Sequence, residues 1–136
     1  MSTRVSRYGT IFIVCHGCVS LLHEIAHRML PVTLPLLKYA IAFAFLGVLP
    51  LIALLLLWTS YRRGGILLLL FSMAGSLLFA GYHHFVLHGA DHILEAPQGA
   101  WRTVFQVTAV LLLVLEAFGC WLSFRLLRRV NDQNQP

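Results

Sequence analysis

Seven histidines stand in this sequence, and four of them fall into two pairs spaced four apart, His23 with His27 and His84 with His88. On a helix that spacing sets two imidazoles on one face, the arrangement that captures a transition-metal ion with two nitrogen ligands. Carboxylates lie close by in the chain: Glu24 within the first pair, Asp91 and Glu95 just beyond the second, with His92 between them. Neutral imidazole suits Zn, Fe, Cu and Ni, and a carboxylate compensates part of the cation's charge. The candidate metal ligands are therefore His23, His27, His84, His88, Asp91, His92 and Glu95, while His16 and Glu116 form a candidate deeper relay.

These residues must be positioned by helices in a membrane. Of 136 residues, 59% are apolar, and the mean hydropathy is +0.80. Apolar runs of about spanning length recur at 10–30, 34–58, 64–88 and 103–127. The expected fold is all-α, an integral membrane four-helix bundle filling residues 1–130, with a polar tail at 131–136. The connections are short and carry Pro31, Pro35, Gly64, Gly65, Gly89, Pro97 and Gly99, so neighbouring helices are expected to run antiparallel. The first run holds His16, His23, His27 and Glu24 and closes on no small-residue cleavage site, so it reads as a retained span rather than a signal peptide.

The formal charge of +5 does not imply nucleic acid, because the basic residues flank the spans. Arg4, Arg7, Arg62, Arg63, Arg125, Arg128 and Arg129 fall on one side; Arg28, Lys38 and Arg102 fall on the other. The positive-inside rule then puts both termini in the cytoplasm, with a bacterial inner (plasma) membrane as the expected location. At a rise of 1.5 Å per residue, His23 and His27 lie roughly 20 and 25 Å along the first span, and His84 and His88 roughly 29 and 35 Å along the third. Both pairs fall in the outer half. His16, Ser20, His23 and His27 share a stripe with Glu24 at its border; His84, His88, Asp91 and Glu95 share another if the helix continues that far, and His83 points elsewhere.

Charged and imidazole groups inside a span cost about 2.5–3.5 kcal/mol at the helix centre for Asp, Lys or Arg, which makes them functional candidates by default. The segment His23-Glu24-x-x-His27 resembles the zinc-hydrolase signature, which implies Glu24 as the base acting on a metal-bound water. Intramembrane metalloproteases, which the segment also resembles, carry an aspartate in an Asp-Gly context on a later span, whereas Asp91 stands in Gly-Ala-Asp-His. The run His88-Gly-Ala-Asp-His92 is similar to the histidine-aspartate-histidine signature of some nickel and cobalt permeases, over five residues. The several histidine pairs match part of the pattern of membrane di-iron hydroxylases, and a bis-histidine haem would need one imidazole from each of two helices. The bland alternative is that the histidines hydrogen-bond one another and backbone carbonyls. Cys15 and Cys18 face away from the histidine stripe and read as small apolar residues. Glu116 reads either as a protonated carboxyl bonded to a neighbouring helix or as the partner of His16.

Metal-ion transport or handling is thus the leading expectation, with a membrane-embedded metalloenzyme as the alternative. A b-type haem subunit and a structural subunit follow. The expected partners are the lipid bilayer, a metal ion, and either further copies of the chain or a larger membrane complex.

Overall fold

The computed structural model describes residues 2–30, 32 and 34–132 and contains no strand among them. Four helices account for most of it: α1 (Ser2–Met29), α2 (Leu36–Leu57), α3 (Arg62–Val86) and α4 (Arg102–Asp132). Each is long and apolar enough to cross a membrane. Their bounds depart from the apolar runs at α1, which begins at Ser2, at α3, which stops at Val86, and at α4, which continues through Asn131 and Asp132. The remainder of the polar tail lies outside the described residues.

The buried positions of α1 recur at helical spacing: Val5, Phe12, His16, His23, Ala26 and His27. Those of α4 do the same, through Phe105, Thr108, Leu112, Glu116, Gly119, Ser123 and Leu126. Packing neighbours are α1 with α4, α4 with α3, α3 with the second half of α2, and that half with α1. The four helices therefore form a ring in which α1 and α3 stand on a diagonal. Side chains crossing that diagonal can meet only through the interior.

One apolar cluster, built on Phe12, Leu57, Leu69, Met73 and Leu126, fills the end near the α2–α3 connection. Close approach there depends on Gly119, where an added Cβ would collide with Phe12 and Met73. The Ser6 hydroxyl donates to Leu57 O at 2.6 Å, and Trp58 Nε1 donates to Thr10 Oγ1 at 3.0 Å, tying that connection to α1. A second cluster of Ala26, Leu30, Ala96 and Phe105 closes the opposite end.

Two departures from α geometry shape the bundle. In α2, Pro50 brings no N–H, and the preceding turn, Ala44–Val48, is widened to π geometry. Ser72 of α3 donates to Phe45 O in that turn at 2.6 Å, satisfying a carbonyl at the irregular point. The first part of α2, Leu36–Phe43, contributes no buried residue and reaches α1 through Tyr39, whose hydroxyl bonds Glu24 at 2.8 Å. In α3 the last turn, Tyr82–Val86, is also π-helical, closed by Leu87 N to Tyr82 O at 2.8 Å. Leu87 is extended and Gly89 follows at φ +146°, the one positive-φ residue among the described residues. The helix therefore ends before His88, and the continued helical face expected for His84, His88, Asp91 and Glu95 does not form.

Candidate metal centre

Three imidazoles meet across the diagonal. His23 and His27 come from adjacent turns of α1 and His84 from the π turn of α3; the rings lie 4.9, 5.0 and 5.7 Å apart. Phe105 of α4 packs against all three, with ring centroids at 5.0, 4.9 and 5.5 Å. His23, His27 and His84 are only 5%, 8% and 7% exposed, so water cannot satisfy their ring nitrogens freely. Each offers one nitrogen within 4.8 Å of the others.

The hydrogen-bond network assigns the tautomers. His84 Nδ1 lies 2.8 Å from Asp91 O, a carbonyl that can only accept, so Nδ1 carries a proton and, in the neutral ring that a metal requires, Nε2 is bare. His23 Nδ1 lies 2.8 Å from Thr108 Oγ1. That hydroxyl donates back to Val104 O in its own helix at 2.7 Å, so His23 Nδ1 donates to it and His23 Nε2 is bare as well. The two bare nitrogens face each other at 3.3 Å. Two donors bound to one tetrahedral zinc ion, each about 2.0–2.1 Å from it, stand about 3.3 Å apart.

Asp91 organises the other side. Its Oδ1 lies 3.1 Å from His27 Nε2 and 3.2 Å from His84 Nδ1, close enough for ion pairing. With Nε2 of His27 facing that carboxylate, its Nδ1 is left buried and without a hydrogen-bond partner among the described residues. Burial alone raises the pKa of Asp91, but the imidazoles of His27 and His84 outweigh it and hold the carboxyl well below the usual carboxylate range. Asp91 thus orients two imidazoles as an anion, the role carboxylates play behind metal-bound histidine.

The remaining sequence candidates fall elsewhere. His88, His92 and Glu95 form a separate group on the loop at 87–101. His88 Nδ1 lies 2.5 Å from Glu95 Oε1, the Gly89 N–H donates to Glu95 Oε2 at 2.7 Å, and the rings of His88 and His92 stack at 5.2 Å. The hydrogen bonds from His88 first, and from Gly89, hold the Glu95 carboxyl below its ordinary pKa. Glu24 turns away from the three imidazoles. Its Oε1 accepts from Arg28 Nε at 2.6 Å and from Tyr39 OH at 2.8 Å. It still lines, with His23, His27, His84 and Asp91, a cavity of about 410 Å³ between α1, α2 and α3, whose other walls are mainly apolar, among them Leu46, Pro50, Leu51 and Phe79.

Two turns below His23, His16 Nε2 lies 4.0 Å from Glu116 Oε1, both residues fully buried. Ser76 donates to that carboxyl, while both nitrogens of His16 and Glu116 Oε2 have no hydrogen-bond partner among the described residues. His83 turns to its own helix, with Nδ1 2.9 Å from Phe79 O. Cys15 and Cys18 are exposed on the far side of α1.

Sequence reasoning did not find Thr108, Phe105 or Ser76. A signal existed for the first two, because Phe105, Thr108, Leu112 and Glu116 share one helical face. The donor set of imidazoles with a flanking carboxylate fits a borderline divalent ion. No protein-family model, curated protein or solved structure matches this chain, so the functional reading rests on the geometry above.

Proposed function

We propose that this chain is an integral membrane protein that holds a transition-metal ion between His23, His27 and His84 and handles that ion within the bilayer. The observation that carries the reading is the pair of bare, buried Nε2 atoms of His23 and His84 facing each other at 3.3 Å. Two lone pairs at that distance repel unless a cation lies between them. A proton would serve that pair but leave His27 Nδ1 without a partner; one metal ion serves all three imidazoles. Nitrogen and carboxylate donors suit Zn, Fe, Cu or Ni. A bis-histidine haem fits less well, since its two axial nitrogens stand about 4 Å apart with the macrocycle between them, and Phe105 packs against all three rings.

Handling is favoured over storage by the second buried polar group, His16 with Glu116 and Ser76, about 10 Å deeper along α1. In this reading the helices run antiparallel with both termini in the cytoplasm of a bacterial inner membrane. The ion is met at the outer side and the deeper pair is its next stop. Four spans make a thin pathway, so the working form is an oligomer or a subunit of a larger membrane complex.

A second reading, a metalloenzyme, is favoured by the cavity of about 410 Å³ that joins the three imidazoles to Glu24. Three protein ligands leave a position for water or substrate, and a mostly apolar cavity suits a lipid-soluble one.

The test is elemental analysis and X-ray absorption on protein purified in detergent, followed by flux into vesicles. A near-stoichiometric ion with nitrogen scatterers, lost in His84→Ala, supports the centre; metal-free protein indifferent to that change refutes it. His16→Ala or Glu116→Gln with unchanged metal content should abolish flux if the protein transports. Turnover lost in Glu24→Gln at full metal content would instead select the enzyme.

A further inference from the structure

The loop at 87–101 carries a second group of ligand-type side chains, and it does not belong to the buried centre. His88, His92 and Glu95 each bring one ligand atom within 4.8 Å of the others. The His88 side chain is 81% exposed and Glu95 is 42% exposed, while His92, at 7%, is buried beneath them. This group therefore meets water through His88 and Glu95, whereas all three imidazoles of the other centre are buried.

The loop is built rather than loose. The Ile93 N–H donates to His84 O at 3.0 Å, tying the loop to the end of α3, and His92 O accepts from Glu95 N at 3.0 Å and from Ala96 N at 2.9 Å. Gly89 at φ +146° reverses the chain so that His88 returns over Glu95, a conformation L side chains rarely adopt. The reversal is completed by the Gly89 N–H on Glu95 Oε2. Glu95 then holds His88 by Nδ1, leaving His88 Nε2 as its outward donor. Each carboxylate of the loop thus fixes an imidazole: Asp91 in the buried group, Glu95 in the exposed one. A carboxylate behind an imidazole raises its basicity as a ligand. The two groups are also covalent neighbours, since Asp91 and His92 are adjacent residues with one turned to each.

We propose that His88, His92 and Glu95 form a separate, solvent-facing site for a divalent transition-metal ion, which captures the ion from water and passes it to the buried centre. The passing step rests on the reading of His23, His27 and His84 as a metal centre; the capture site does not. The exposed site has few protein ligands and open water around it, so it binds more weakly and exchanges faster than the buried one.

The experiment is a titration of the metal-free full-length protein in detergent with Co(II), followed optically, with stopped-flow mixing to time the filling of the buried centre. Wild-type protein is expected to take two ions per chain, one tight and one weaker. The double variant His88→Ala/His92→Ala should lose the weaker ion, keep the tight one, and fill it about tenfold or more slowly, by the scale of effects seen when ligand-supporting groups are removed. Glu95→Gln, which leaves the loop's side-chain volume intact, should weaken the weaker ion alone. One ion per chain in the wild type that the double variant retains, or a double variant with unaltered stoichiometry and filling rate, overturns the proposal. His84→Ala separates the two readings. If it removes the tight ion and spares the weaker one, both stand. If it removes nothing while the loop variants still remove an ion, the buried centre fails and the capture site survives.

Discussion

The Nε2 atoms of His23 and His84 face each other at 3.3 Å, although the residues are 61 positions apart and their helices stand on the diagonal of the bundle. Thr108 Oγ1 and Asp91 O hold the opposite nitrogens of the two rings, which is why the facing pair is bare.

Removing either imidazole should empty the centre. His23→Ala and His84→Ala are expected to reduce bound metal to background in elemental analysis, while His83→Ala, whose ring stacks on Phe79 at 4.3 Å, should leave it unchanged.

Asp91→Asn keeps the side-chain volume but removes the anion that orients His27 and His84. Metal affinity should fall by about 10–100-fold in chelator competition, the usual effect of losing a carboxylate behind ligating histidines.

Thr108→Val tests the tautomer assignment. It removes the acceptor of His23 Nδ1 and frees that ring to carry its proton on Nε2, so affinity should fall by roughly tenfold with little loss of helix content by circular dichroism. Unchanged affinity would reject the assignment.

Acid should release the metal and then weaken the fold. Imidazole must be neutral to ligate, so affinity should fall as the pH is lowered. Asp91 has a depressed folded pKa, so its contribution to stability is fully present above the ordinary carboxylate value. It is lost only as the pH falls toward the depressed one. Thermal melts of wild-type and Asp91→Asn protein should therefore differ at pH 6–7 and converge in strong acid.

The irregular turn of α2 makes its own prediction. Ser72→Ala removes the donor to Phe45 O and should destabilise the bundle by about 0.6–1.7 kcal/mol, measured by unfolding in mixed detergent. Metal content should not change, because Ser72 is not among the residues around the three imidazoles.

The sequence by itself determined four apolar helices and the faces on which polar groups lie, because periodicity of 3.6 residues is a local property and a polar side chain in an apolar run is conspicuous. His23 with His27, and His16 on the same stripe, were legible in that way. The tertiary structure decided which stripes meet. It brought His84 to the α1 pair through a π turn, and it ended α3 at Val86, so His88 left the face assumed for it and joined His92 and Glu95 in the loop. It also turned Glu24 to Arg28 and Tyr39 and supplied Thr108 and Phe105 from α4. A one-residue widening of a helical turn rotates everything after it, and the tautomer of an imidazole depends on a partner from another helix. Neither can be read from spacing along one strand of sequence.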